Sequence, residues 1–240
     1  MTPLESSARA TTVTALARAL SATRNASAGS TFVYDDPKAL ARVLVSMFQK
    51  YPENYTGTGD HLVSEAFYFT DPEGNGVELY RDRPRDQWKW VDGHVQMATL
   101  YLDPAGFVNR ELGGVDVDAL PSTAASLGHV HLQVGDVESA RAFYVGALGF
   151  DETTVMPGNA LFVSAGGYHH HMAMNVWNSR GAGPRQKTLG MGVVDILVPT
   201  ADELGRAEER LGFGGFTPWF DGRTLSVGDP WNNEIRLSVG

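Results

Sequence analysis

The sequence predicts an α+β protein made of tandem βαβββ repeats, and three observations lead to that reading. A capped amphipathic helix recurs three times, starting near Asp36, Asp136 and Thr200. Alternating or β-rich segments stand before and after these helices in the same order. An Asp-Pro turn precedes the closing strand twice, at Asp71-Pro72 and Asp229-Pro230. Internal repetition over stretches of about 50 to 65 residues is the most dependable organisational signal in the chain.

Residues 1–30 read as a divergent N-terminal segment. They are rich in Ala, Ser, Thr and Arg, and from residue 6 onward they hold no aromatic side chain. Val13, Leu16, Ala17 and Leu20 have the spacing of a short amphipathic helix. The segment is Arg-bearing as transit peptides are, but Glu5 and the lack of an apolar h-region argue against secretion. The expectation is a poorly ordered extension on a cytoplasmic protein.

Residues 31–112 read as an N-terminal module with one βαβββ repeat and a linker. Its first strand covers 30–35. Asp36 and Pro37 then supply an N-cap and an N1 proline, and Leu40, Val43, Leu44, Met47 and Phe48 form the helix's apolar stripe. Strands are expected over 66–69 and 77–80, and residues 82–122, with Trp88 and Trp90, as linker. Residues 121–240 read as a C-terminal module of two repeats. Strands over 130–134 and 193–198 precede helices striped by Phe143, Tyr144 and Leu148, and by Leu204, Ala207 and Leu211. Thr200 and Glu203 form a capping box. Both helices end in Leu-Gly-Phe, so Gly149 and Gly212 are expected to make left-handed C-terminal turns. Closing strands are expected over 159–163, 171–177, 224–227 and 235–239.

Composition removes whole classes of function. The 240 residues are 42% hydrophobic and 20% charged, as in an ordinary globular chain able to bury a core. No apolar run is long enough for a membrane span. A net charge of -9 argues against a nucleic-acid partner, which needs a basic face. The absence of cysteine excludes disulfides, thiolate metal sites and cysteine nucleophiles, and leaves imidazoles and carboxylates as the strong metal ligands. His94 has no spacing partner and reads as structural.

Several motifs nevertheless stand out. Gly59-Asp60-His61, Phe67-Tyr68, Asp71-Pro72-Glu73-Gly74 and Glu78 fit the extradiol ring-cleavage signature, spacing included. Leu127-Gly128-His129-Val130-His131-Leu132 and Gly167-Tyr168-His169-His170-His171-Met172 accompany it. Over about residues 30–240 the chain resembles the vicinal oxygen chelate superfamily, which includes glyoxalase I, fosfomycin-resistance proteins and extradiol dioxygenases, and within it the bacterial catechol 2,3-dioxygenase branch. The resemblance implies repeats folded into cupped mixed sheets. Such enzymes usually carry four repeats, so here the first is expected to be missing or degenerate.

The resemblance also assigns roles. Mononuclear Fe(II) chemistry with O2 wants two imidazoles and one carboxylate on one face, leaving positions open. His129 and Glu78 fall at ligand corners, and His171 at the corner of an acid-base histidine. His61 and Tyr68 match positions that hold substrate oxygens. The corner for the second imidazole aligns with Gly29, which carries no ligand. His131, on the same face as His129, is the candidate replacement, with His61 or water as alternatives. In the last repeat the corners hold Val193 and Arg236, with Glu234 two residues toward the turn and read as a surface residue. His170 is expected to be exposed, because only His169 and His171 would share a strand face.

The implied activity is extradiol cleavage of a small aromatic diol by O2, with Fe(II), or Mn(II) in its place, as cofactor. Two alternatives stand beside it. One is a glyoxalase-like lyase or isomerase using Zn or Ni. The other is a catalytically impaired protein that binds aromatic ligands. A homodimer is a further expectation, since a chain with a missing repeat could complete its sheet with a second copy.

Overall fold

The structure, a computed structural model, describes residues 30–115, 125–186 and 192–240. These fall into two compact units, the first ending at His131 and the second starting at Leu132. The amphipathic spacing at Val13 to Leu20 and the Gly29 corner lie outside the described residues.

The first unit contains β1 (Ser30–Val33), α1 (Pro37–Lys50), β2 (Tyr55–Asp60), β3 (Ser64–Thr70) and β4 (Gly76–Asp82). A small hairpin, β5 (Trp90–Val91) and β6 (His94–Val95), follows, then α2 (Pro104–Leu112) and β7 (Ser126–Leu127). The main sheet has the order β2-β3-β4-β1-β7. The opening strand β1 thus returns beside the closing strand β4, and the two run parallel. The region expected as linker therefore contains both a hairpin and a helix. In α2, Asp103 caps and Pro104 opens the first turn, the same Asp-Pro device that starts α1.

The core of this unit lies between the helices and one face of the sheet. Leu40, Leu44 and Ala41 of α1 pack with Phe67, Phe69 and Leu79 of the strands and Phe107 of α2. Side chains alternate across a strand. Placing Phe67, Phe69 and Leu79 on the helical face therefore sends Tyr68, Glu78 and Tyr80 to the opposite face. The apolar pattern that builds the core thus also selects which polar residues line the other side.

The β3–β4 hairpin is fixed by Asp71. Its Oδ1 accepts from the backbone N–H of Glu73 and Asn75 at 2.9 and 2.7 Å, and its Oδ2 from Asn75 Nδ2 at 2.8 Å. Gly74 supplies the left-handed residue of the turn, with φ +83°. The Asp229 turn repeats this wiring, accepting from Trp231 N, Asn233 N and Asn233 Nδ2. The recurrent Asp-Pro dipeptide is thus one turn used twice.

The strand β8 (Val130–Gln133) carries the chain from one unit into the other. The second unit continues with α3 (Val137–Arg141), which widens into a π-helical turn over Ala142–Ala147. Then come β9 (Asp151–Met156), β10 (Ala160–Ser164), β11 (Met172–Asn175), β12 (Val193–Val198), α4 (Ala201–Phe213), β13 (Trp219–Phe220), β14 (Thr224–Gly228) and β15 (Glu234–Val239). The sheet orders are β8-β11-β10-β9 and β12-β15-β14-β13. Each again places the opening strand beside the closing one, so three βαβββ repeats share one topology. The expected α+β class and repeat pattern are the observed ones.

The two helix ends of this unit differ from each other. Gly149 makes the left-handed turn, with φ +89°. Arg210 of α4 donates from Nε and Nη2 to the carbonyls of Ala147 and Leu148 at 3.2 and 3.0 Å, satisfying the open end of the π-helical turn. Gly212, expected to act like Gly149, instead stays within α4. The helix runs one residue further, and Gly215, with φ +81°, takes the turn. The Gly-Gly pair that follows Phe213 offers a second glycine able to adopt that conformation, so the helix need not end at the first.

Among the described residues no helix is long and apolar enough to cross a membrane. Leu44 is fully buried at the contact of α1 with the sheet. Leu44→Ala should therefore lower stability by about 2–5 kcal/mol, the cost of lost transfer energy and the cavity left behind, read from urea unfolding followed by circular dichroism.

Candidate metal centre

The centre around Glu78 is built on the face of the first unit's sheet that lies away from the helices. Glu78 is at the middle of β4, directly opposite Tyr68 on β3 and level with Thr31 on β1. On the far side of β1, β7 pairs antiparallel through Phe32–Leu127 and Val33–Ser126. That pairing lays the following residues along β1 and delivers His129 to Glu78. His129 Nε2 and Glu78 Oε2 are 3.1 Å apart, and both residues are buried.

Gly128 makes this approach sterically feasible. A Cβ there would lie 2.4 Å from Tyr80 Oη and 2.8 Å from Thr31 Oγ1. Tyr80 in turn packs its ring against the His129 imidazole, with centroids 4.7 Å apart. His131, two residues along, points to the same face. Its ring centroid is 4.8 Å from that of His129, and one nitrogen of each ring lies within 4.8 Å of the other.

Tyr68 and His61 extend the group. Tyr68 donates its phenol hydrogen to Glu78 Oε1 at 3.2 Å, and His61 Nε2 lies 2.7 Å from the same phenol oxygen. His61 Nδ1 donates to the carbonyl of Ala98 at 2.8 Å, because a carbonyl can only accept. The phenol has one hydrogen. It can serve Glu78 Oε1 or His61 Nε2, but not both at once. If the phenol turns to His61, its bond to Glu78 is lost. His61 and Glu78 thus share the Tyr68 hydroxyl as their common hydrogen-bond partner. Gly59 leaves the space that His61 uses: a Cβ there would stand 2.6 Å from His61 Nε2. The segment 96–102 holds this corner in place, with Asp60 and Leu100 exchanging backbone bonds at 2.9 Å and Thr58 Oγ1 donating to Leu102 O at 2.8 Å.

Electrostatics keep one anion here. Burial alone would push the Glu78 carboxyl up, but the charge and hydrogen bond of His129 override it and hold the group down at about 2. Tyr68 is pushed up, by burial first and then by the Glu78 charge and hydrogen bond, so the phenol stays protonated as a donor. His131 is brought down to about 3, mainly because the protein desolvates it and secondarily by the charge of His129, with Glu78 opposing. One carboxylate and two imidazoles on one face match the donor set expected for Fe(II), Mn(II) or Zn(II).

Glu78, His129, His131, His61 and Tyr68 are therefore brought together. His171 belongs to the second unit. It immediately precedes β11, its N–H donates to Val163 O at 2.9 Å, and its Nδ1 accepts from Ala165 N at 3.3 Å. His170 is not exposed as expected but buried, with its Nδ1 2.7 Å from that of His169. The strand begins only at Met172, so the period-two rule does not reach the histidine run. Glu234 forms an ion pair with Arg236 at 2.7 Å, both about 43% exposed, as a surface pair would be. His94 caps its own turn, with its Nδ1 3.1 Å from Asp92 O. Thr31, Gly128 and Tyr80 escaped the sequence reading. Of the three, only Gly128 lay inside a recognised motif.

Residues 126–236 match the model of the Glyoxalase/Bleomycin resistance protein/Dioxygenase superfamily. A catechol-2,3-dioxygenase of Bacillus subtilis (strain 168) is 40% identical over 177 residues, covering 72% of this chain and 61% of that protein. The chain thus spans about three fifths of that relative's length. A crystal structure from Bacillus subtilis, described as a candidate dioxygenase, superposes with a TM-score of 0.53 at 9% identity, covering 89% of this chain and 61% of that one. At that identity the likeness concerns the fold alone.

The directions of the shifts set a pH dependence for metal-free protein. Both groups bind protons less readily folded than unfolded, so their stabilisation is complete above the unfolded pKa and lost as pH falls. For His131 the window runs from its ordinary 6.5 down to about 3, and for Glu78 from 4.5 down to about 2. Thermal melts of chelator-treated protein should therefore fall steadily below about pH 6.5, each group contributing at most about 1.4 kcal/mol per pH unit, His131 less for its partial exposure. His131→Gln should flatten the part of the profile above pH 4.5.

Proposed function

Because the chain belongs to the Glyoxalase/Bleomycin resistance protein/Dioxygenase superfamily, we propose that it is an extradiol ring-cleaving dioxygenase whose metal is held by Glu78, His129 and His131. The observation that carries the reading is the buried contact of His129 Nε2 with Glu78 Oε2 at 3.1 Å, with His131 beside it and Tyr68 hydrogen-bonded to the other carboxylate oxygen. The relative named catechol-2,3-dioxygenase supports the choice of reaction.

The substrate in this reading is a small aromatic diol. Both atoms of O2 enter the ring-opened product, so no reductant is consumed. Fe(II), or Mn(II) in its place, would supply a common template for diol and O2 and a route for electrons between them. The chain's own groups do the rest. Glu78 offers one oxygen for coordination while Tyr68 holds the other, which limits how the carboxylate can rotate. Tyr68, kept protonated, can redirect its hydrogen to a substrate oxygen, and His61 can refill it. His171 is proposed as the acid-base group. The Ala165 N–H occupies its Nδ1, so a neutral ring carries its hydrogen on Nε2, the atom that would deliver it. His131 fills the role that the family gives to a second imidazole from another strand.

The test combines metal analysis with turnover. Protein purified anaerobically should hold close to one iron per chain and convert catechol to a yellow product with stoichiometric O2 uptake. Glu78→Gln and His131→Ala should each lower iron affinity by about tenfold or more and abolish turnover, while circular dichroism stays unchanged. Activity with Zn or Ni without O2 uptake would assign the chain to lyase or isomerase chemistry instead. Aromatic binding without metal would make it a binding protein.

A further inference from the structure

The two ligand-bearing segments are 51 residues apart in sequence, yet both are tied to one residue between them. Thr31 on β1 is level with Glu78 on the parallel strand β4. On its other side the Gly128 N–H donates to the Thr31 carbonyl at 2.9 Å, and the Thr31 hydroxyl donates to the His129 carbonyl at 2.6 Å. Thr31 is buried. We infer that Thr31 is a positioning residue for His129: its hydroxyl fixes the main chain at the point where the imidazole leaves the strand, and so sets the His129–Glu78 spacing. The inference rests on reading Glu78 and His129 as metal ligands.

Three features make the hydroxyl more than a generic buried hydrogen bond. β7 is only two residues long, with its last partner at Leu127, so the ladder itself ends before His129. Beyond that point the Gly128–Thr31 bond and the Thr31 hydroxyl continue the attachment across β1. The close packing at Gly128 leaves no Cβ to take over the same job, because Tyr80 Oη and Thr31 Oγ1 occupy that volume. And the hydroxyl holds the carbonyl of the ligand residue itself, so a small rotation of that peptide would swing the ring.

Val is nearly isosteric with Thr and removes only the hydrogen bond, whereas Ser keeps the hydroxyl and loses a methyl group. In titrations of metal-free protein with Co(II), the wild-type chain should show the intense visible bands of a low-coordinate site. Thr31→Val should weaken Co(II) binding by about 10–100-fold and alter those bands, the scale on which partners that orient metal ligands act. Thr31→Ser should restore both. In metal-free protein the His129 ring ¹⁵N shifts, which report the Glu78 contact, should move in Thr31→Val and return in Thr31→Ser. Unchanged affinity, bands and ring shifts in Thr31→Val would overturn the inference. So would an equal loss in Val and Ser variants, which would mark a packing role. If the wild-type chain binds no Co(II) while the ring shifts still respond to the hydroxyl, the positioning of His129 stands and the ligand reading falls. If neither occurs, both fall.

Discussion

Glu78 is the residue around which the first unit is organised. A carboxylate taken out of water costs several kcal/mol unless its oxygens are matched by donors or cations. Here Oε2 faces His129 and Oε1 faces Tyr68, and the group remains ionised in spite of its burial. Each partner arrives by a different structural device. Tyr68 comes by direct cross-strand pairing, held in register by the Asp71 turn. His129 comes by the addition of β7 to the outer edge of β1. Removing either device would leave a buried charge half-matched, which is a strong constraint on the strands that carry them.

The same topology occurs three times without making the same site. In the last repeat β12 pairs parallel with β15 as β1 does with β4, but Val193 stands level with Glu234, and Arg236 neutralises that carboxylate at the surface. No histidine is available from the opening strand, whose sequence is Val193-Val194-Asp195-Ile196-Leu197-Val198. The fold therefore supplies positions, and side chains decide which of them become a site. The distinction is chemical rather than architectural: an exposed Glu–Arg pair is already satisfied, while a buried Glu beside two imidazoles still has the donor set of a cation site.

Much of the fold was legible because its signals are local. Asp36-Pro37 and Thr200 with Glu203 act through hydrogen bonds within one turn, and the structure contains both caps. The Asp-Pro turns are similarly self-contained. What remained hidden depends on partners distant in sequence. β2, with its Gly57 and Gly59, lacks a β-propensity pattern and is held by pairing with β3. α2 has only nine residues and earned no periodicity reading, yet its Phe107 completes the core. Within the candidate site, residue types and spacing brought out His61, Tyr68, Glu78, His129 and His131. Thr31 carried no such mark, because a threonine in a strand is ordinary and its partner lies 98 residues away.

The two glycines beside the site illustrate why the remaining information is three-dimensional. Neither Gly59 nor Gly128 appears among the residues with positive φ, so backbone conformation does not call for glycine at either place. Each is required by volume: His61 folds over Gly59, and Tyr80 with Thr31 fills the space above Gly128. A sequence shows the glycine but not the side chain that occupies its missing Cβ. Both vacancies admit a group that belongs to the hydrogen-bonded chain from His61 through Tyr68 and Glu78 to His129, or that steadies it. The site is therefore defined as much by where carbon atoms are absent as by where donors are present. Replacing either glycine by alanine would act on the spacing of the chain rather than on any of its chemical groups.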